Sequence, residues 1–245
     1  MLNASIRSIP LPQNMLELPV SKQGFPVPFF AGKNEEGEWD FRVVHPETTV
    51  KCMRQKLCWV CGQQLGRVKA FVAGPMCVVT RTSAEPPCHP SCARYAAIAC
   101  PFLASPRMQR NEKDLPEGHR PPAGQAIMRN PGVAAVLVAE DWRPFNDGNG
   151  GVLIQMGAPT VVEWYAQRRN ATQKEVMDSI ESGLHLLREQ CEAEQNEKDK
   201  RDAHSELSAR VVDVCLHWLP RPGPGEADLV EPIRRLQSAP ANTQR

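Results

Sequence analysis

The sequence predicts an α+β fold in which a small mixed or antiparallel sheet domain precedes a helical C-terminal region. Three observations predict it. Short apolar segments separated by Gly, Pro and Asn turns fill the chain to about residue 158. Two pairs of thiol and imidazole side chains, at 58–61 and 89–92, fall inside that part. From residue 172 onward the apolar spacing becomes that of amphipathic helices.

The elements follow in order. Residues 1–24 read as a proline-punctuated arm, and a sheet domain spans 25–158. Phe25 to Phe30 is extended because proline disfavours helical neighbours. It is expected to pair with Glu38–Val44 across the turn Asn34–Gly37. A short helix is expected at Glu47–Lys56, a hairpin at 67–80 that places Cys77 in a strand, and an alanine-rich helix at 90–100. Residues 104–131 are polar and rich in Pro and Gly, as in a long loop. Val133–Val138 reads as a buried strand returning through Val152–Met156 around the turn Asn146–Gly151. The helical region is expected at 159–219, starting with a helix at Thr160–Arg169. Thr172 and Glu175 have capping-box spacing. They precede the stripe Val176, Ile180, Leu184, Leu187 and Cys191. A second stripe, Leu207, Val211, Val214, Cys215 and Trp218, makes the region an antiparallel helical pair. A Pro/Gly-rich tail closes the chain at 220–245.

Composition limits the function classes. Net charge is +1, so no global field draws the chain to nucleic acid or membrane. There is no run of 18 apolar residues to span a bilayer. Met1–Val20 lacks the continuous apolar stretch of a signal peptide. A soluble, cytoplasmic protein is expected. In that setting the nine cysteines point to metal ligands and buried thiols rather than disulfides.

Cys58-Trp59-Val60-Cys61-Gly62 is a knuckle: two thiolates at this spacing reach one ion if the chain turns tightly, and glycine permits the turn. His89-Pro90-Ser91-Cys92 supplies a second pair, with Pro90 suited to the first turn of a helix. Knuckle, hairpin and helix in that order make a treble-clef-type zinc finger over 58–100. Cys58, Cys61, His89 and Cys92 are the expected ligands of one structural Zn²⁺, because four protein donors leave no open position. Cys88 adjoins His89 and is an alternative ligand. Cys52, Cys77, Cys100, Cys191 and Cys215 read as core thiols.

A catalytic zinc would use Cys58, Cys61 and His89 with Glu85 as base, but the order of motifs is the reverse of that in zinc deaminases. A His-Asn-His nuclease needs a histidine between 67 and 80, and none is there. Asp141, Asp147, Glu163 and His119 are scattered polar residues that resemble turn and surface groups more than a hydrolytic site. The sequence thus favours a binding protein over an enzyme, with a zinc-containing hydrolase or nuclease acting on nucleic acid or nucleotides as the alternative.

Candidate contacts to nucleic acid or another partner are Arg107, Arg110, Lys113, Arg120 and Arg129 in the long loop, with Arg168 and Arg169. The acidic helical stretch suits a protein partner, or a second copy of the chain docking through helices 172–218. The segments Cys58–Gly62, Ala70–Cys77, Glu85–Ala93 and Ala99–Leu103, with Gly24–Phe29 and Asn170–Val176, resemble a group of uncharacterised zinc-binding proteins of bacteriophages and prophages. The resemblance covers most of residues 20–190 and carries no activity. It implies a mobile-element setting, in which accessory proteins target host factors, defence systems or DNA transactions in the host cytoplasm.

Overall fold

A computed structural model of the chain describes residues 1–45, 47–105, 109, 115, 123–124, 130–148 and 150–232. The elements are β1 (Ala31–Lys33), β2 (Trp39–Val44), α1 (Thr48–Gln55), β3 (Lys69–Ala73), α2 (Pro75–Thr80), β4 (Thr82–Ser83), α3 (Pro90–Ala99), β5 (Ala134–Ala139), β6 (Trp142–Asn146), β7 (Val152–Met156), β8 (Val161–Ala166), β9 (Arg169–Asn170), α4 (Gln173–Glu192) and α5 (Glu197–His217). The fold is α+β, and every strand pairing is antiparallel.

The organising element is the four-stranded sheet β3-β5-β8-β9. Its strand β5 is buried along its whole length, as a continuous apolar run requires when both faces are covered. Ala135, Leu137 and Ala139 point to one face, where they meet Phe71, Trp164 and the apolar sides of α2, α4 and α5. Val136 and Val138 point to the other, where they meet α3, the knuckle and Ile6 and Met15 of the N-terminal segment. Alternation of side chains along one strand thus ties two cores together.

Four expectations are corrected. Residues 67–80 are not a hairpin: β3 is followed by helix α2, so Cys77 lies on a helix. Pro75 at the first helical position and the left-handed Arg81 at the end bound one short helix, despite its β-branched content. Thr160–Arg169 is not a helix but the β8–β9 hairpin, turned by Gln167 and Arg168 with φ of 48° and 66°. Val152–Met156 does not return against Val133–Val138; it pairs with β6 and β4 in a separate three-stranded sheet. The expected pairing of Phe25–Phe30 with Glu38–Val44 shifts to β1 against β2.

Helix α4 begins where its capping box predicts. Thr172 accepts from the Glu175 backbone N–H at 3.2 Å, and the Glu175 carboxylate accepts from the Thr172 backbone at 2.8 Å. Its stripe is buried at Val176, Ile180, Leu187 and Cys191. Gly183 lets α4 approach α2: a Cβ there would lie 2.8 Å from Met76. Buried Gln173 holds the segment after α5, donating to Pro220 O and Asp228 and accepting from Leu229 N–H. No described helix is long and apolar enough to cross a membrane.

The helix start yields a pH test. Hydrogen bonds from Arg169, then from the Thr172 backbone, hold the Glu175 carboxyl down at about 2. A lowered carboxyl contributes stability that is full above its ordinary value of 4.5 and is lost as pH falls through about 2. Glu175→Gln is expected to cost about 1 kcal/mol at neutral pH and to flatten the acid limb of the thermal-melting profile in that window. An unchanged acid limb would remove Glu175 from the account.

Candidate metal centre

Cys58 and Cys61 reach the same point because the knuckle closes on itself. Cys58 N–H donates to Gln63 O at 2.8 Å, Gly62 N–H donates to Cys58 O at 2.8 Å, and Leu57 bridges Gln64. Gly62 has φ of 74°, and a Cβ there would lie 2.7 Å from the Phe29 ring. Glycine is required both for the backbone conformation and for the ring. His89 is the N-cap of α3, Pro90 follows at the first helical position, and Cys92 lies within the first turn. The two halves are joined by Trp59 N–H donating to Pro87 O at 3.0 Å.

The ligating atoms of Cys58, Cys61, His89 and Cys92 all lie within 4.8 Å of one another. His89 Nδ1 is 3.3 Å from Cys61 Sγ and 3.9 Å from Cys92 Sγ. Tetrahedral zinc with Zn–S bonds of about 2.3 Å places sulfurs about 3.8 Å apart, so the spacing fits that ion with little movement. His89 Nε2 is 2.9 Å from Gln64 O, an acceptor that places the ring proton on Nε2 and frees the Nδ1 lone pair for the metal. Backbone N–H groups of Cys61 and His89 donate to Cys58 Sγ at 3.4 and 3.3 Å. They satisfy a sulfur that is wholly buried.

Electrostatics argues for a cation. Hydrogen bonds from Cys61, then Cys88 and Cys92, favour the thiolate at Cys58. That sulfur in turn pushes the Cys61 thiol up to about 11 and the Cys92 thiol higher still. Three bare thiolates this close would repel by about 3–4 kcal/mol per pair at an effective dielectric of about 20. A dication at their centre turns that repulsion into attraction. The four side chains are therefore close enough to bind a metal ion, and their chemistry is compatible with zinc.

Cys88 is not one of the four converging groups. It pairs through its backbone with Ala70 at 2.7 and 2.8 Å, and its thiol is buried behind Cys58 and pushed well up by that sulfur and by burial. Cys52 is also buried in this core, and burial pushes its thiol up to about 12.

The remaining candidates are dispersed. Glu85 is exposed and outside the quartet. Asp147 accepts from Gly151 N–H within its turn, and Asp141 is exposed. Glu163 is engaged by Arg94 at 2.7 Å and by the Tyr165 hydroxyl at 2.7 Å. Arg168 donates to Ile98 O at 2.8 Å and Ala99 O at 3.3 Å, closing the C-terminal end of α3. Arg169 pairs with Glu175 at 2.7 Å. His119, Arg107, Arg110, Lys113, Arg120 and Arg129 lie outside the described residues. The signal that the sequence left unread is Arg168, whose left-handed φ aims its guanidinium at the helix that carries two of the ligands.

Two substitutions separate the ligand sets. Cys88→Ser is expected to keep about one zinc per chain, whereas His89→Ala is expected to lose at least tenfold in metal affinity, read by competition with a colorimetric chelator. Retention by His89→Ala together with loss by Cys88→Ser would make the site all-cysteine. The chain matches no protein-family model, no curated protein and no solved structure.

Proposed function

We propose that this chain is a non-enzymatic binding protein in which a structural zinc holds the surface that meets a macromolecular partner, a host protein or nucleic acid. The closed donor set carries the reading: Cys58, Cys61, His89 and Cys92 converge on one point, and three of them are buried. Four protein donors leave no position for a reactive water. The acids that would serve hydrolysis are spread over turns and ion pairs elsewhere. A cavity of about 510 Å³ lined by Arg81, Asp213 and Trp218 contains none of the four donors.

In this reading the module is a treble-clef-type finger with an altered hairpin. The partner of β3 on the knuckle side is reduced to the bridge at Cys88, and α2 and β4 are inserted between the two. The resemblance to bacteriophage and prophage proteins supports an accessory role in a host cell, in host takeover or defence evasion.

Structural zinc in small modules contributes about 10–16 kcal/mol of apparent folding free energy, comparable with the roughly 5–15 kcal/mol that holds a whole domain. Zinc removal is therefore expected to unfold the module. Purified protein should hold about one zinc per chain, lose its cooperative thermal transition in excess chelator and regain it on adding zinc. It should turn over neither DNA nor nucleotides. A folded, chelator-resistant apo chain, or hydrolysis that scales with bound zinc, would overturn the reading in favour of a zinc hydrolase.

A further inference from the structure

The near-neutral total conceals a strong asymmetry. From 48 to 84 the chain carries Lys51, Arg54, Lys56, Arg67, Lys69 and Arg81 and no Asp or Glu. Between 173 and 217 it carries eleven acids against six lysines and arginines. The two stretches meet at one place, where Arg81 reaches Asp213 on α5, and α1 touches both cores, with Cys52 in the knuckle-side core and Met53 against the other.

Within the basic stretch the pairing is selective. Arg67 meets Glu140 at 2.9 Å, Lys69 donates to the Glu140 carbonyl at 2.6 Å, and Arg81 meets Asp213 at 3.2 Å. Lys51, Arg54 and Lys56 have no ion pair among the described residues, and all three are exposed. Helix α1 buries Thr48 and Cys52 and turns Lys51 and Arg54 outward. Their i, i+3 spacing puts their Cβ atoms about 5–6 Å apart on one face.

The ridge is built onto the knuckle. Lys51 Nζ sits 5.5 Å above the Phe29 ring, and that ring fills the space a Cβ at Gly62 would need. Phe29 N–H also donates to Val60 O at 2.8 Å. Lys56 ends α1 in the left-handed conformation, and its carbonyl accepts from Leu65 N–H at 2.9 Å. A cation near the helix C-terminus also stabilises it, which accounts for Arg54 in the last turn and for Lys56 at the C-cap. It does not explain Lys51, which sits over the Phe29 ring one turn after the exposed N-cap residue Glu47.

We propose that Lys51, Arg54 and Lys56 form a docking ridge for the phosphate backbone of a nucleic-acid strand. The inference rests on the binding-protein reading above and names the partner class. Three exposed cations with no ion pair among the described residues, two on α1 and one at its C-cap, meet phosphates without reading bases, so binding is sequence-independent.

The test is fluorescence anisotropy of the zinc-loaded full chain with labelled mixed-sequence strands of about 20 nucleotides, as single-stranded DNA, duplex DNA and RNA, and with labelled poly-glutamate. Three phosphate contacts predict that affinity falls about 20- to 40-fold between about 50 and about 200 mM salt. Lys51→Gln/Arg54→Gln/Lys56→Gln is expected to abolish most of that dependence and to weaken low-salt binding at least tenfold, with zinc content unchanged. Arg54→Gln/Lys56→Gln leaves Lys51 on Phe29, tests the ridge if the triple variant fails to fold, and is expected to remove about two thirds of the salt slope.

Absence of binding by the folded, zinc-loaded chain overturns the ridge and leaves the structural zinc in place. Binding that the double variant leaves unchanged also overturns it, as does tighter binding of poly-glutamate, which would assign the surface to an acidic protein.

Discussion

One side of the central sheet is built around four donors that meet at one point. Cys58 and Cys61 come from a turn closed by its own hydrogen bonds, and His89 and Cys92 come from a helix start some thirty residues later. The two halves are linked by Trp59 N–H to Pro87 O, by His89 N–H to Cys58 Sγ, by His89 Nε2 to Gln64 O and by a shared buried core. Crowded thiols resist sharing negative charge, and the Cys61 and Cys92 thiols are pushed up accordingly. A dication at the centre would let all three thiolates form, and the spacing of the four donors is compatible with zinc.

The consequences extend through α3 and β5. Helix α3 is fixed at its N-terminal end by the ligands and at its C-terminal end by Arg168, whose guanidinium bonds Ile98 O and Ala99 O. Arg94, two residues past Cys92, pins the same helix to Glu163 on β8. Strand β5 joins the two sides of the sheet, since Val136 and Val138 pack under the knuckle and α3 while Leu137 packs under α4 and α5. The ridge on α1 belongs to this network too, because Cys52 on its inner face lies in the same core as the ligands.

What was legible in the sequence was local. Cys58, Cys61 and Gly62 declare a knuckle by spacing, and Pro90 declares a helix start. Thr172 and Glu175 mark the first turn of α4, which the structure reproduces with both reciprocal hydrogen bonds. What failed was decided by tertiary partners. Val78 and Val79 favour a strand intrinsically, yet they lie on α2 because burial against α4 and the core outweighs propensity. Val161–Ala166 does alternate, with Trp164 and Ala166 inside, but its turn is made by Gln167 and Arg168 instead of the Asn or Gly that signals a tight hairpin. Pro144 hid β6, because proline is tolerated at a sheet edge but reads as a strand breaker. The site's ligand choice was only half legible: spacing offered both Cys88 and His89, and the bridge to Ala70 is what turns Cys88 away from the quartet.

The most direct test of a closed zinc centre is zinc K-edge X-ray absorption of the purified protein. Three sulfurs at about 2.3 Å and one nitrogen at about 2.0–2.1 Å, with no oxygen neighbour, are the predicted coordination. A bound oxygen, four sulfurs, or a chain that retains no zinc would contradict it.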